Sequence, residues 1–232
     1  FKMSLFTNAG GLSNSENVRM SPDQAMLSDF AVKEVTNMPV AHSAQEEQVD
    51  MKHKMPVSFG LNANIAISKR FSIETGATYT YMYSESKQEL TDAERKTEQR
   101  LHYVGIPIGI KYDIIKNNRV GLYAGAGAAF DIAVSGHRKE TWTAGGEQSL
   151  PDKTKMQVRG IMPSIGLNIG VELNINDKLS VYAEPGMRYY IPNKNHYWNS
   201  GDVDYVIQNY RTQHPLNFSL QAGFRIKFNT KR

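Results

Sequence analysis

Between residues 160 and 173 every odd position is apolar (Ile161, Pro163, Ile165, Leu167, Ile169, Val171, Leu173), while glycine, methionine, serine, asparagine and glutamate fill the even ones. A period of two predicts a β-strand, because successive side chains point to opposite faces. The alternation recurs. Val57, Phe59, Leu61, Ala63, Ile65 and Ile67 stand against Ser58, Gly60, Asn62 and Asn64; after Ser68-Lys69-Arg70, Phe71, Ile73, Ala77, Tyr79, Tyr81 and Tyr83 stand against Ser72, Glu74, Gly76, Thr78 and Thr80. Residues 104–112, 120–132, 179–191 and 216–228 repeat it, and Met3 and Leu5 against Lys2 and Ser4 start a shorter first strand. Eight strands result.

The connections alternate too. Roughly three to six residues join strands two to three, four to five and six to seven, with Asn117-Asn118 a good turn pair; the other connections are long and polar, at about 10–50, 84–99, 136–155 and 193–214. Short turns at one end and long loops at the other predict an all-β fold. It is an eight-stranded antiparallel up-and-down transmembrane β-barrel with short periplasmic turns and long extracellular loops, one domain over residues 1–232. Both termini then lie on the periplasmic side, and the start at Phe1 reads as a trimmed or processed product.

A soluble eight-stranded barrel is the competitor, but its apolar row would face inward. Eight strands leave a lumen barely wide enough for side chains, so the glycine-rich row fits inside and the branched row does not. Each apolar row spans about 9–13 residues, against the roughly 9–11 that cross a hydrocarbon core. Tyr79, Tyr81, Tyr83 and Tyr189 gather near the long loops, and Phe71, Tyr112 and Phe228 near the turns, as interfacial girdles do. A β-sandwich would not produce the short–long alternation. Pro163 stands in the lipid-facing row of a barrel without edges, which predicts a local bulge or a broken hydrogen bond there.

Composition removes other classes. The chain has 232 residues, no cysteine and a net charge of +4. It therefore has no disulfide, thiolate metal site or cysteine nucleophile. Without a Lys/Arg run it has no nucleic-acid arm. The inward rows carry Glu74, Lys111, Asp131, Glu172, Glu184, Arg188, Arg225 and Lys227. Isolated charges in a dry bore are costly, so these residues are expected to pair into a network that closes the lumen; a narrow charged channel is the alternative.

No motif points to catalysis, a metal or a cofactor. "GLYAGAGAAF" (121–130) lacks the third glycine and the helix of a dinucleotide site; its glycines make room for neighbours such as Tyr123. His53 and His102 are outward candidates near the loop end, without convincing serine and carboxylate partners. "SPDQAMLSDFAVKEV" (21–35) reads as a short capped helix, with Ser21 as cap and Pro22 at the first position. In the fourth loop Tyr197, Trp198, Tyr205 and Tyr210 are candidates for recognition.

With the strands laid out, "LHYVGIPIGIKYDI" (101–114) and "VGLYAGAGAAFDIAVSG" (120–136) resemble strands of the outer-membrane β-barrel family common in Bacteroidetes, related to the PorT type and OmpA-like in strand number. "LSVYAEPGMRYYI" and "HPLNFSLQAGFRIKF" resemble the last two strands of a subgroup. Phe228 is followed by Asn229-Thr230-Lys231-Arg232, which displaces the terminal aromatic of many such barrels. In that subgroup the barrel follows a periplasmic linker, an inner-membrane helix and a cytoplasmic anti-sigma-like segment. The resemblance implies a non-enzymatic anchor and sensor in the outer membrane of a Gram-negative bacterium, part of a dual-membrane envelope regulator, with a small porin or transporter as the alternative. The expected partners are outer-membrane lipid or lipopolysaccharide and an extracellular or periplasmic protein; the barrel is expected to be monomeric.

Overall fold

Eight strands close on one another in the computed structural model, which describes residues 2–10, 15–19, 48–90, 93–191, 197–200, 203–206, 209–213 and 215–228. In chain order the elements are β1 (Lys2–Gly10), β2 (Ser15–Arg19), β3 (Gln48–His53), β4 (Val57–Ala66), β5 (Phe71–Leu90), β6 (Ala93–Lys116) and β7 (Val120–Ala144). Then come β8 (Glu147–Gln148), β9 (Asp152–Arg159), β10 (Ile161–Asn174), β11 (Leu179–Tyr190), β12 (Tyr197–Ser200), β13 (Val203–Val206), α1 (Tyr210–Gln213) and β14 (Leu216–Lys227). Each of β1, β4, β5, β6, β7, β10, β11 and β14 pairs antiparallel with the next, and β14 pairs with β1 to complete the ring.

Alternation decides which row faces in. On the outward row Leu5 is 58% exposed, Ile108 51%, Leu167 58% and Phe218 55%, whereas inward Ser4, Tyr123 and Ser180 are at most 2% exposed. Every barrel strand presents large apolar side chains outward in this way. A soluble monomer rarely exposes so continuous an apolar belt, so lipid is its solvent.

The turns are held by their own side chains. Ser68 Oγ accepts from the Arg70 and Phe71 amides (3.3 and 3.0 Å). Asn176 Oδ1 accepts from the Lys178 and Leu179 amides (2.9 and 2.8 Å). These are the local side-chain turns that serine and asparagine favour. Asn174 Nδ2 donates to the Asn117 and Asn118 carbonyls, tying two neighbouring turns together.

At the other end the structure departs from the loops read at 84–99 and 136–155. These stretches are strand extensions of β5, β6 and β7 beyond the membrane belt, with β6 and β7 paired up to Ala93↔Ala144. Gly145 and Gly146 both have positive φ (59° and 84°) and make the two-residue turn into β8. The extensions were missed because their outward positions change from apolar to charged, so the apolar alternation stops while the strands continue. β9 joins β7, and β12 with β13 joins β9; β3 with β2 joins β5, forming a β-crown outside the ring. The helix read at 21–35 lies outside the described residues.

Proline placement also corrects the reading. The β7–β10 register runs through Pro163↔Phe130 without a shift. The Pro163 carbonyl accepts from the Ile191 amide (2.9 Å), so its missing N–H faces the end of β11, where the ladder stops anyway. The interruptions lie elsewhere: the β5–β6 ladder skips Pro107, and the β10–β11 ladder skips Pro185. Each lacks the N–H that the ladder needs. Val134 is the extra residue of a β-bulge on β7, between Tyr103↔Ala133 and His102↔Ser135. Beyond it the even positions of β7, beginning with Gly136, turn inward.

Candidate functional site

The bore is filled in tiers, and its lowest tier centres on Glu172. The Glu172 carboxylate accepts from Arg225, from Lys227 Nζ (3.1 Å), from Lys2 Nζ (3.4 Å) and from the Ser180 hydroxyl (2.8 Å). Arg225 Nε also donates to Ser4 Oγ (3.1 Å), and its guanidinium lies over the Tyr182 ring at 4.4 Å. Acid and bases come from β10, β14 and β1, so the tier crosses the bore.

In the tier above, Lys111 Nζ lies between Glu74 (2.8 Å) and Glu184 (2.7 Å). The Tyr123 hydroxyl donates to Glu184 (2.8 Å) and accepts from Arg225 Nη2 (3.3 Å), linking the two tiers. Glycine makes the space for that ring. A Cβ at Gly170 would sit 2.2 Å from Tyr123 Cζ, and one at Gly125 would meet Asn168 Oδ1 at 2.3 Å. Above them is a cavity of about 60 Å³ whose walls include Asn168, Arg188 and Gln221. Arg188 donates to Ser164 Oγ (3.3 Å), and no ion pair of Arg188 occurs among the described residues.

The top tier lies at the extracellular end of the bore. Arg211, from the last loop, enters the ring and donates to Asp131 Oδ2 (2.8 Å), with its guanidinium 4.5 Å over the Tyr190 ring. Asn209 caps α1 by accepting from the Arg211 and Thr212 amides (2.9 and 3.1 Å), and its Nδ2 donates to the Tyr103 hydroxyl (3.0 Å). Beside them lies an apolar cluster of Met82, Leu101, Tyr103, Ala133, Met156, Met162 and Tyr190.

All eight charges expected on the inward rows thus lie in the bore, and seven of them are ion-paired; among the described residues Arg188 meets the Ser164 hydroxyl. Lys2, Tyr123, Arg211 and Asn209 were not among them. Lys2 stands on the inward row of the first strand, whose alternation is only Met3 and Leu5 against Lys2 and Ser4. Arg211 has no strand alternation around it; the available signal was Asn209 followed three residues later by Thr212, a cap ahead of Pro215. Tyr210, expected as a surface recognition residue, is 4% exposed and meets the His53 ring edge-on at 6.3 Å, so it belongs to the plug. Tyr197 and Trp198 lie on β12 opposite Val206 and Tyr205 of β13.

His53 also differs from expectation: it points inward, with Nδ1 2.8 Å from Ser84 Oγ, and both residues are buried. His102 does face outward and pairs with the Tyr79 hydroxyl. In the crown, a hydrogen bond from Lys96 to Glu85 (3.0 Å) lowers the Glu85 pKa and raises that of Lys96. Burial pushes the Glu140 carboxyl up, but Arg138 (2.5 Å) and Arg95 (2.9 Å) outweigh it, and the net shift is downward. Among the described residues no group of three or more His, Asp and Glu side chains could hold a metal ion.

An apolar outward belt around a polar bore is the pattern of an outer-membrane barrel, and the family comparison agrees. The model of the outer membrane protein beta-barrel domain matches residues 18–182. The chain belongs to that family. This outer-membrane barrel resides in the outer membrane of a Gram-negative bacterium, with its turns toward the periplasm and its crown outside. Among solved structures it is similar to Neisserial surface protein A, with 14% identity over 98% of this chain and 96% of that one and a TM-score of 0.42. It is also similar to OprG from Pseudomonas aeruginosa (10% identity, 99% and 95% covered, TM-score 0.46). A third is the outer membrane protease OmpT from Escherichia coli (12% identity, 98% and 95% covered, TM-score 0.41). No curated protein matches the chain.

Proposed function

We propose that this outer-membrane barrel is a non-conducting anchor and sensor, whose work is done by the β-crown outside the cell and by attachments on the periplasmic side. The observation that carries the reading is Lys111 held between Glu74 and Glu184 in mid-bore, under a second seal made by Arg211 and Asp131. An ion crossing the bore would have to displace buried pairs at both levels, each removal stranding a charge at several kcal/mol, roughly.

The resemblance to PorT-type barrels of Bacteroidetes extends the proposal: the chain serves as the outer-membrane part of a larger anti-sigma-like envelope regulator, and its crown engages an extracellular protein. β1 begins at Lys2 at the turn end, opposite Asn64 and Lys227, where a periplasmic attachment would enter. An apolar helix and a cytoplasmic segment encoded upstream of Phe1 are the expected context; a signal peptide alone would contradict it. The proposal is also non-enzymatic: the His53–Ser84 pair is buried, with Tyr210 edge-on to the His53 ring, and no carboxylate among the described residues is hydrogen-bonded to it in the manner of a triad.

The competing reading is a narrow charged channel, and the cavity beside Arg188 favours it. Planar-bilayer recording separates the two. The expected trace is flat at voltages that open porins, with no steady steps from the folded protein. Reproducible unitary steps that vanish on heat denaturation would overturn the closed-bore reading.

A further inference from the structure

We infer that the turn ends of the β4–β5 and β6–β7 hairpins together form a binding site for the headgroup of an anionic phospholipid in the inner leaflet. The two ends are locked to each other. The Asp113 amide donates to the Arg70 carbonyl (2.8 Å), and Lys116 Nζ donates to the Lys69 carbonyl (3.4 Å). Their charge is one-sided. In residues 67–70 and 113–119, Lys69, Arg70, Lys116 and Arg119 stand against one carboxylate, Asp113, a surplus of three where that of the whole chain is four. The third hairpin turn, with Asp177 and Lys178, is balanced, so among the hairpin turns the surplus belongs to these two.

Asp113 does not cancel it. That carboxylate pairs with Lys116 (3.2 Å), whose side chain stays 60% exposed, and Lys69, Arg70 and Arg119 have no ion pair among the described residues.

Direct contact places the site at the membrane surface. Phe71 and Tyr112 are register partners at the lower end of the outward rows of β5 and β6, and their rings pack at 4.9 Å. Arg70 Nη1 donates to the Tyr112 hydroxyl (3.0 Å). A girdle tyrosine holds its ring in the apolar band and its hydroxyl at the water boundary, so the guanidinium fastened to that hydroxyl lies at the boundary on the lipid side. Ile67, Phe71, Ile114 and Ile115 are exposed outward apolar residues, and each stands within two residues of Lys69, Arg70 or Lys116.

That juxtaposition selects the occupant. An acidic polypeptide approaching from the periplasm would meet the cations but not the girdle to which Arg70 is fastened. A phosphate ester carrying acyl chains meets both. With one N–H committed to Tyr112, the Arg70 guanidinium keeps the others for phosphate oxygens, the geometry in which arginine binds phosphate best. The acyl chains then continue along the adjacent isoleucine and phenylalanine side chains.

The test is native mass spectrometry of the folded protein in neutral detergent, titrated with phosphatidylglycerol. The triple variant Lys69→Gln/Arg70→Gln/Lys116→Gln is expected to weaken binding about a hundredfold, a factor of about five for each cation near an anionic surface. The charge-matched variant Lys87→Gln/Lys153→Gln/Lys155→Gln, in the crown, is expected to stay within about twofold of the parent by the same reasoning. Tyr112→Phe keeps every charge but frees Arg70, and should weaken binding about fivefold, the order of the cost of ordering one long side chain. Heat-modifiable gel migration, identical for all four proteins, shows that each is folded. Phosphatidylcholine with the same acyl chains should bind the parent as weakly as phosphatidylglycerol binds the triple variant. Equal binding by parent and triple variant, an equal loss in the crown variant, no loss in Tyr112→Phe, or equal binding of the two lipids would each overturn the assignment. Displacement by equimolar glycerol 3-phosphate would overturn the lipid as the source, and displacement by equimolar poly-glutamate would overturn it in favour of an acidic polypeptide.

Discussion

Glu172→Gln is expected to destabilise the folded barrel by about 3–5 kcal/mol, the cost of breaking a buried ion pair and leaving one charge behind. The substitution keeps shape and removes only charge, and its three cationic partners do not suffer equally. The side chains of Lys2 and Lys227 are 31% and 20% exposed, so they can turn to water. The Arg225 side chain is 3% exposed, and among the described residues its other hydrogen bonds go to Ser4 and Tyr123, so it is left with a neutral amide where a carboxylate stood. Arg225 therefore carries most of the penalty. A second change, Arg225→Met, removes the stranded charge and should recover part of the loss, which additive single effects would not. The readout is the urea concentration at which the heat-modifiable folded band disappears. Equal midpoints for the parent and Glu172→Gln would mean that this tier contributes nothing.

Arg211→Met is expected to unseat the last loop. The change leaves Asp131, 3% exposed, without its guanidinium, and removes the contact over Tyr190. The cost is again about 3–5 kcal/mol, but it is local, because α1 is a single turn held by Asn209 and the plug rather than by the barrel ladder. Local opening is the cheaper response. Chymotrypsin should then cut after Tyr210, which the plug protects in the parent, at least about tenfold faster, since the open fraction rises by a decade for each 1.4 kcal/mol, roughly. Adding Asp131→Asn should slow the cutting again by removing the orphaned charge. If the cutting rate is the same in the parent and Arg211→Met, Arg211 does not hold the loop in the bore.

What the sequence made legible follows from these two tiers. Glu172 was readable because it falls on the even row of a fourteen-residue strand whose odd row is apolar, and β-alternation leaves no third direction. Six of the eight expected charges found one another for the same reason, since a bore this narrow brings inward side chains of different strands together, while Asp131 is met by Arg211. Arg211 was not readable, because a side chain that reaches the bore from a loop obeys no period. His53 was misread for a related reason. It ends β3, which pairs with the extension of β5 above the membrane belt and is not itself a ring strand, so its alternation has no neighbouring apolar row to phase it. The crown was read as loop because beyond the membrane the outward face of β5, β6 and β7 changes from Ile, Val and Tyr to Glu, Lys and Arg. The strand periodicity persists there while the hydrophobic signal that reports it is gone. For Pro163 the cost is decided by the direction of its absent N–H, which depends on which neighbour the ladder faces and is not visible in the alternation.

Membrane placement turns on the phase of one alternation: the apolar row faces lipid and the polar row faces a filled bore. The chain contains no cysteine, so single cysteines placed one at a time from residue 164 to residue 171 on β10 can carry a nitroxide without background. In liposomes, spin-label collision rates with oxygen should peak at positions 165, 167, 169 and 171. Collisions with a water-soluble nickel chelate should stay low at every position. The opposite phase would make this an inward-apolar soluble barrel inserted by force, and high nickel accessibility at 164, 166, 168 and 170 would make the bore an open aqueous channel; either result contradicts the account.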